Sequence, residues 1–254
     1  WEVTGNWTIN NSMVSDIPSD LKEIVYAGYT TLGNFAINGQ PLGIMKGYYY
    51  QRHENGQLLV GAGGDYIAST TIGIIGNPNP NYRLSGINSL TYKSFTFRFQ
   101  VDYTDGGDMY SSTARSLLAR GVTKDTEFDR AAPYILPGVT ADGKPNNIQI
   151  SATQGYFNNV FGPDQGGIFD ATVVRLRDMS LSYALPEKLL NKTPFGSVSI
   201  TANGSNLWYY APNFPKYMHF DPETNGLGVG NGKGLEFITG PSARRMGLSV
   251  RITF

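Results

Sequence analysis

Few residues in this chain are placed to do chemistry. The two histidines, His53 and His219, stand far apart, each in a stretch that reads as loop, and such a pair reads as solvated residues rather than as a metal site. The absence of cysteine removes disulfides and thiolate metal sites. Asp221 and Glu223 invite comparison with the carboxylate pair of a glycoside hydrolase. Set between aromatic and Gly-rich residues, however, Asp221-Pro222-Glu223 reads as a turn in which the aspartate accepts backbone hydrogen bonds. No Gly-x-Ser-x-Gly, phosphate-cradling Gly loop or His-Glu-x-x-His motif occurs. The expectation is a non-enzyme with no cofactor and no metal.

What remains is binding. Trp208, Tyr209 and Tyr210, with Phe214, Tyr217 and His219, offer flat faces that stack on sugars or peptide groups, and nearby Asn and Asp supply hydrogen bonds. The alternative reading of Trp208 to Tyr210 is an aromatic girdle at a membrane interface, and the two readings can coexist. Tyr110, Arg115, Arg120 and Tyr134, in a long stretch over 104–170, could touch a substrate or a partner protein.

These residues must be carried by strands. At the end of the chain Met246, Leu248, Val250, Ile252 and Phe254 alternate with Gly247, Ser249, Arg251 and Thr253. A period of two gives a strand one greasy and one wet face. The same alternation marks Trp1 to Asn10, with Trp1, Val3, Trp7 and Ile9 on one side. Gln40 to Gln51, with Gly43, Gly47 and the run Tyr48-Tyr49-Tyr50, reads as a second strand; Tyr82 to Tyr92 forms a hairpin with Phe95 to Tyr103, where the alternation recurs and Phe95, Phe97, Phe99, Val101 and Tyr103 share a face. Ala171 to Leu185 and Ser197 to Trp208 complete a set of seven. On the strand beginning at Ala171, strict alternation places Arg175 and Arg177 with Met179, Leu181, Tyr183 and Leu185, which suggests that its upper part rises out of lipid. A short pairing is possible around Ile24 to Tyr26. A helix is expected over Ser112 to Arg120, stopped by Gly121. Long loops fall at about 53–80, 104–170 and 209–242, and short links at Lys93-Ser94 and Pro186 to Gly196.

Composition narrows the class. Lys+Arg and Asp+Glu are 20 each, so nothing draws the chain to nucleic acid. Thirty-one Gly, 16 Tyr and 13 Phe suit an all-β chain. No apolar run approaches the roughly 18 residues of a membrane helix, but barrel strands cross in about 10 alternating residues. Alternation alone also fits a secreted β-sandwich that binds glycans or acts as an adhesin. Five large apolar side chains in a row on one strand, with none small enough to interdigitate, fit lipid better. With seven strands and an inward-running last one, the strand at Trp1 would also run inward. Such a set cannot close, which points to the C-terminal part of a larger barrel.

Several segments, in order, resemble one family. Val174-Arg-Leu-Arg-Asp-Met-Ser-Leu-Ser-Tyr-Ala-Leu-Pro186 is similar to a strand signature of SusC/RagA-type TonB-dependent outer-membrane receptors of Bacteroidota. Gly204-Ser-Asn-Leu207, Phe220-Asp-Pro-Glu223 and Val250-Arg-Ile-Thr-Phe254 follow in the family's order. Upstream, Gly39-Gln-Pro-Leu-Gly43, Ile75-Gly-Asn-Pro-Asn-Pro80 and Tyr92-Lys-Ser-Phe95 also match. The resemblance implies about the last seven strands of a 22-stranded transmembrane barrel with an N-terminal plug. It further implies uptake of oligosaccharides or peptides in the outer membrane, powered through TonB, with a SusD-like surface lipoprotein as partner. Met246, Leu248, Val250, Ile252 and Phe254 would then form the barrel-closing strand, with Phe254 outward at the periplasmic rim. Gly61-Ala-Gly-Gly-Asp65 departs from the acidic, Asn/Gly-rich loop of many members, so no ion site is carried over.

Overall fold

The computed structural model of the protein describes residues 1–160, 162–227 and 230–254. In chain order, β1 (Glu2–Thr8) is followed by residues 9–81, which hold β2 (Glu23–Gly28), β3 (Gly33–Ile37), β4 (Ile44–Gly47) and β5 (Gly73–Gly76). A hairpin follows, β6 (Tyr82–Tyr92) and β7 (Phe95–Asp105). Residues 106–172 carry β8 (Asp108–Ser111), helix α1 (Ser112–Ala119), β9 (Pro133–Tyr134), β10 (Ile150–Ser151) and β11 (Ile168–Asp170). Then β12 (Val173–Ala184) leads through the short helix α2 (Glu187–Leu190) into β13 (Ser197–Tyr210). Residues 211–244 hold β14 (Leu235–Glu236), and β15 (Arg245–Thr253) comes last.

The alternating stretches assemble into one six-stranded sheet in the order β1-β6-β7-β12-β13-β15, each strand antiparallel to its neighbour. A meander of this kind places its connections alternately at two ends. Residues 93–94 and 185–196 make the short links at one end, while 9–81, 106–172 and 211–244 make the long excursions at the other. Lys93, at φ +53, supplies the left-handed residue that a two-residue hairpin turn needs.

Six strands, not seven, form this wall. Gln40 to Gln51 does not join it. Only Ile44–Gly47 of that stretch is a strand, and it pairs with β3 and β5 in a separate four-stranded sheet. The reason is packing on both sides: Ile44, Met45 and Gly47 are all buried, and a Cβ on Gly47 would lie 2.7 Å from the Ile75 side chain and 2.9 Å from that of Asp164. With one strand fewer, β1 runs opposite to the expected direction, starting at the short-link end.

Residues paired in register share a face. One face carries Val3 and Trp7, Leu84 and Leu90, the phenylalanines of β7, Met179, Leu181 and Tyr183, Val198 and Ile200, and Met246 to Ile252 at alternate positions. No second sheet covers it among the described residues: Trp7 is 71% exposed and Leu248 74%. A β-sandwich would bury such a face.

Burial lies in the connections instead. Leu32, Met45 and Ile75 from the first, Tyr110 from the second and Leu235 from the third form one cluster. Met109 and Ala114 join Phe214 in another. The three excursions thus fold into a single cap, helped by α1. Its N-cap, Ser111, accepts from the Ala114 N–H at 3.0 Å, and Gly121, at φ +65, ends it by donating to the Leu118 carbonyl at 2.9 Å.

A core in the loops and bare apolar residues on the long strands invert the plan of a soluble domain and match strands immersed in lipid. β6 and β7 have 11 residues each, β12 has 12 and β13 has 14, enough to cross a bilayer in the roughly 9–11 that a tilted strand needs. An arginine at the outward, mid-strand Met179 should therefore cost about 2–4 kcal/mol of folding stability in lipid vesicles. Arginine at the adjacent Ser180, on the other face, should cost little. Equal effects in urea unfolding would contradict this assignment of faces.

Candidate functional site

Strict alternation fails at one point on β12, and the site is built there. Leu176 pairs with Val101 and Trp208, Asp178 pairs with Gln100 and Ser205, and Arg177 is left over as a bulge. On β13 the bulge takes in Asn206 and Leu207, with Asn206 at φ +55, a conformation asparagine tolerates. The extra residue shifts the period by one. Val174 and Leu176 therefore continue the apolar face, while Arg175, opposite Asp102 and Tyr209, turns to the polar one. This overturns the expectation that Arg175 and Arg177 share the face of Met179 and Leu181.

Arg175 is buried, with its side chain 2% exposed, and ion-pairs with Asp221, which is 5% exposed. Its guanidinium also donates to Asn206 Oδ1, lies 3.4 Å from Glu223 through Nε, and sits 5.2 Å from the centroid of the Tyr209 ring. Arg177 donates from Nε to Asp102 at 2.6 Å and through both terminal nitrogens to Glu223, at 2.8 Å each. Asp102 is further held by Ser85 at 2.6 Å and Gln100 at 2.9 Å. Asp221-Pro222-Glu223 is the turn expected from its residue types: the Glu223 N–H donates to Asp221 Oδ1 at 3.0 Å, and Thr224 N–H to the Asp221 carbonyl at 3.1 Å. Two wall arginines thus clamp the loop over 211–244 against the polar face.

A second junction, invisible to motif reading, holds that loop at its other end. Glu236 is fully buried and accepts from Ser111 Oγ (2.8 Å), Thr113 N (3.0 Å), Thr113 Oγ1 (2.7 Å), Thr239 N (2.6 Å) and Thr239 Oγ1 (2.9 Å). It sits at the N-terminal end of α1, where a negative charge is favoured. Burial works against its ionisation, but the hydrogen bonds from Thr113, Thr239 and Ser111 outweigh it and hold the carboxyl below its ordinary range. The one signal in the sequence is a lone charge between Leu235 and Phe237.

The six candidate binding residues do not converge. Trp208 and Tyr210 pair with Leu176 and Val174 on the outward face, about half exposed, at the long-loop end of the sheet. Tyr209 turns inward over Arg175 and donates its hydroxyl to the His219 carbonyl at 2.5 Å. Phe214 is buried, stacked on Phe169 (4.9 Å) and Phe220 (5.6 Å), so its faces are already covered. Tyr217 is 43% exposed, flanked by Lys124 and Lys216, and its N–H donates to Asp125. His219 lies at φ +46 in the same loop, and His53 is in a distant turn.

Of the second set, Tyr110 is buried and its hydroxyl accepts from Arg115, which also pairs with Asp164. Arg120 caps the end of α1, and Tyr134 is 40% exposed. The terminal residues Met246, Leu248, Val250 and Ile252 face outward on β15, which pairs with β13 alone among the described residues. The Phe254 ring meets Phe195 edge-on at 5.5 Å, at the short-link end.

Between the polar face and the cap lies a cavity of about 700 Å³. The sheet contributes Asn6, Arg83, Ser85, Asp102 and Arg177; the cap contributes Asn79, Asp108, Glu223, Asn225 and Lys233. Burial pushes the Asp108 carboxyl up, a neighbouring Asp170 adds to this, and an N–H bond from Asn77 at 2.7 Å opposes it.

No protein-family model matches the chain. It is 26% identical over 187 residues to TonB-dependent receptor P3 of Formosa agariphila, covering 71% of this chain and 17% of that protein. It is 25% identical over 199 residues to TonB-dependent receptor P26 of the same organism, covering 75% of this chain and 19% of that one. The chain therefore spans less than a fifth of the length of these relatives. Among solved structures, the RagAB peptide transporter matches 99% of this chain and 27% of its own, at 16% identity and a TM-score of 0.59. The RagAB peptide importer in its closed-closed state matches with a TM-score of 0.57 at 15% identity, again over 99% of this chain and 27% of its own. In fold the chain follows part of those transporters, and in sequence it is related to TonB-dependent receptors of a Bacteroidota species, so that by both measures it resembles the SusC/RagA type of receptor.

Proposed function

We propose that this chain forms barrel wall and extracellular loops of an outer-membrane receptor that imports oligosaccharides or peptides. The observation that carries this reading is the six-stranded meander itself, with its apolar face bare and every long excursion at one end. In that setting the sheet continues into the remaining strands of a 22-stranded barrel, because an open edge cannot stand in lipid. β1 and β15, each with one partner among the described residues, are where those strands add. Trp208 and Tyr210 belong to the outer aromatic girdle, and Tyr217 and His219 remain the loop residues offered to a ligand. Transport is energised through TonB, acting on the plug at the N-terminal end of the receptor, and a SusD-like lipoprotein works on the extracellular cap.

The test uses the full-length receptor in its own cells. It should fractionate with the outer membrane and migrate as a heat-modifiable barrel. Deleting its gene, or that of TonB, should abolish growth on the peptide or oligosaccharide it imports, and the partner lipoprotein should co-purify with it. Recovery of the intact receptor from the soluble periplasm would overturn the reading.

A further inference from the structure

We propose that the cavity between the polar face of the sheet and the loop cap is a carboxylate-binding site, in which Arg83 and Lys233 take the acid group of an imported peptide C-terminus or uronic acid. The proposal rests on the import reading and deepens it.

Charge bookkeeping around the cavity singles out these two cations. Asp102 and Glu223 are both committed to Arg177, at 2.6 Å and 2.8 Å, and Asp108 accepts from the Asn77 N–H. Arg177 is likewise satisfied. The Arg83 guanidinium, by contrast, has no hydrogen bond or ion pair among the described residues, and the Lys233 ammonium reaches only Asn79 Oδ1, at 3.4 Å. Neither has a carboxylate. Both line the same 700 Å³ space, a volume suited to a small ligand or to the end of a larger one.

Both cations spring from fixed backbone. Arg83 pairs in register with Thr8 and Thr104 on the polar face, next to the Ser85–Asp102 row. Lys233 is gripped by the fully buried Asn34, which accepts from its N–H at 2.9 Å and donates to its carbonyl at 3.0 Å. A guanidinium fork matches a planar carboxylate, and the ammonium adds a point charge. Beside them Asn6 lines the same space and offers a neutral amide to the rest of the ligand. Stacking is not the source of affinity here. Tyr103, the aromatic residue bordering the cavity, belongs by register to the outward face.

The experiment measures calorimetric binding to the purified full-length receptor in detergent. Two probe pairs are compared: trialanine with a free or amidated C-terminus, and trigalacturonate as the acid or the methyl ester. In at least one pair the acid should bind tenfold or more tightly than the neutral form, and the pair that does so identifies the source of the carboxylate. R83Q/K233Q should erase that preference while leaving the affinity of the neutral form and the heat-modifiable migration of the barrel unchanged. K233Q alone, a change in one loop side chain, should weaken it in the same direction. Equal binding of acid and neutral forms, no binding of either acid, or a preference that survives R83Q/K233Q would overturn the proposal. An intact outer-membrane receptor that imports without acid preference would sink this site and leave the import reading standing.

Discussion

Alanine at Arg175 is expected to release the loop over 211–244 from the six-stranded sheet, at a cost of about 3–5 kcal/mol. The magnitude comes from what stays behind rather than from what is removed. Asp221 would keep its buried position, 5% exposed, without its counter-charge, and Asn206 and Tyr209 would lose the group they surround. In the full-length receptor the variant should unfold at lower temperature in detergent, and trypsin should cut faster at Lys216 and Lys233. The double variant Arg175→Met with Asp221→Asn should recover much of the loss, since removing both charges spares the uncompensated one. Unchanged trypsin cleavage in the single variant would show that the clamp holds nothing.

Glu236→Ala is the second large effect. Five donors from Ser111, Thr113 and Thr239 would lose one buried acceptor, and a loss of about 3 kcal/mol or more follows from hydrogen bonds to a charged group. Hydrogen exchange should quicken across α1, whose first turn the carboxylate holds. The pH dependence has a definite sign. Because the folded-state pKa lies below that of an exposed glutamate, about 4.3, the contribution is present at neutral pH and fades as pH falls below that value through the folded one. Protection of the α1 amides should therefore decline in acid, and Glu236→Gln should remove that part of the decline. Protection that rises in acid would contradict the sign.

The local elements were legible in the order of residue types. Alternation at Phe95 to Tyr103 and at Met246 to Phe254 marks strands of the six-stranded sheet, because a strand whose two faces meet different surroundings must repeat every two residues. Lys93-Ser94 as a turn, α1 with its Gly121 stop, and Asp221-Pro222-Glu223 as a turn were legible for the same reason: each depends on side chains and backbone within a few positions.

Tertiary structure decided the rest. Whether Gln40 to Gln51 joins the wall depends on Ile75 and Asp164 packing against Gly47, contacts that no local pattern contains. The bulge at Arg177 moves two arginines to the opposite face, and a single inserted residue leaves no mark on composition or motif. The aromatic set from Trp208 to His219 is contiguous in sequence but divided in space, since β13 sends Trp208 and Tyr210 outward and Tyr209 inward before the loop buries Phe214. Glu236 acquires its role from Ser111 and Thr113, which lie more than 120 residues away. A period of two fixes which residues share a face, while only long-range packing decides where the period breaks and what each face meets.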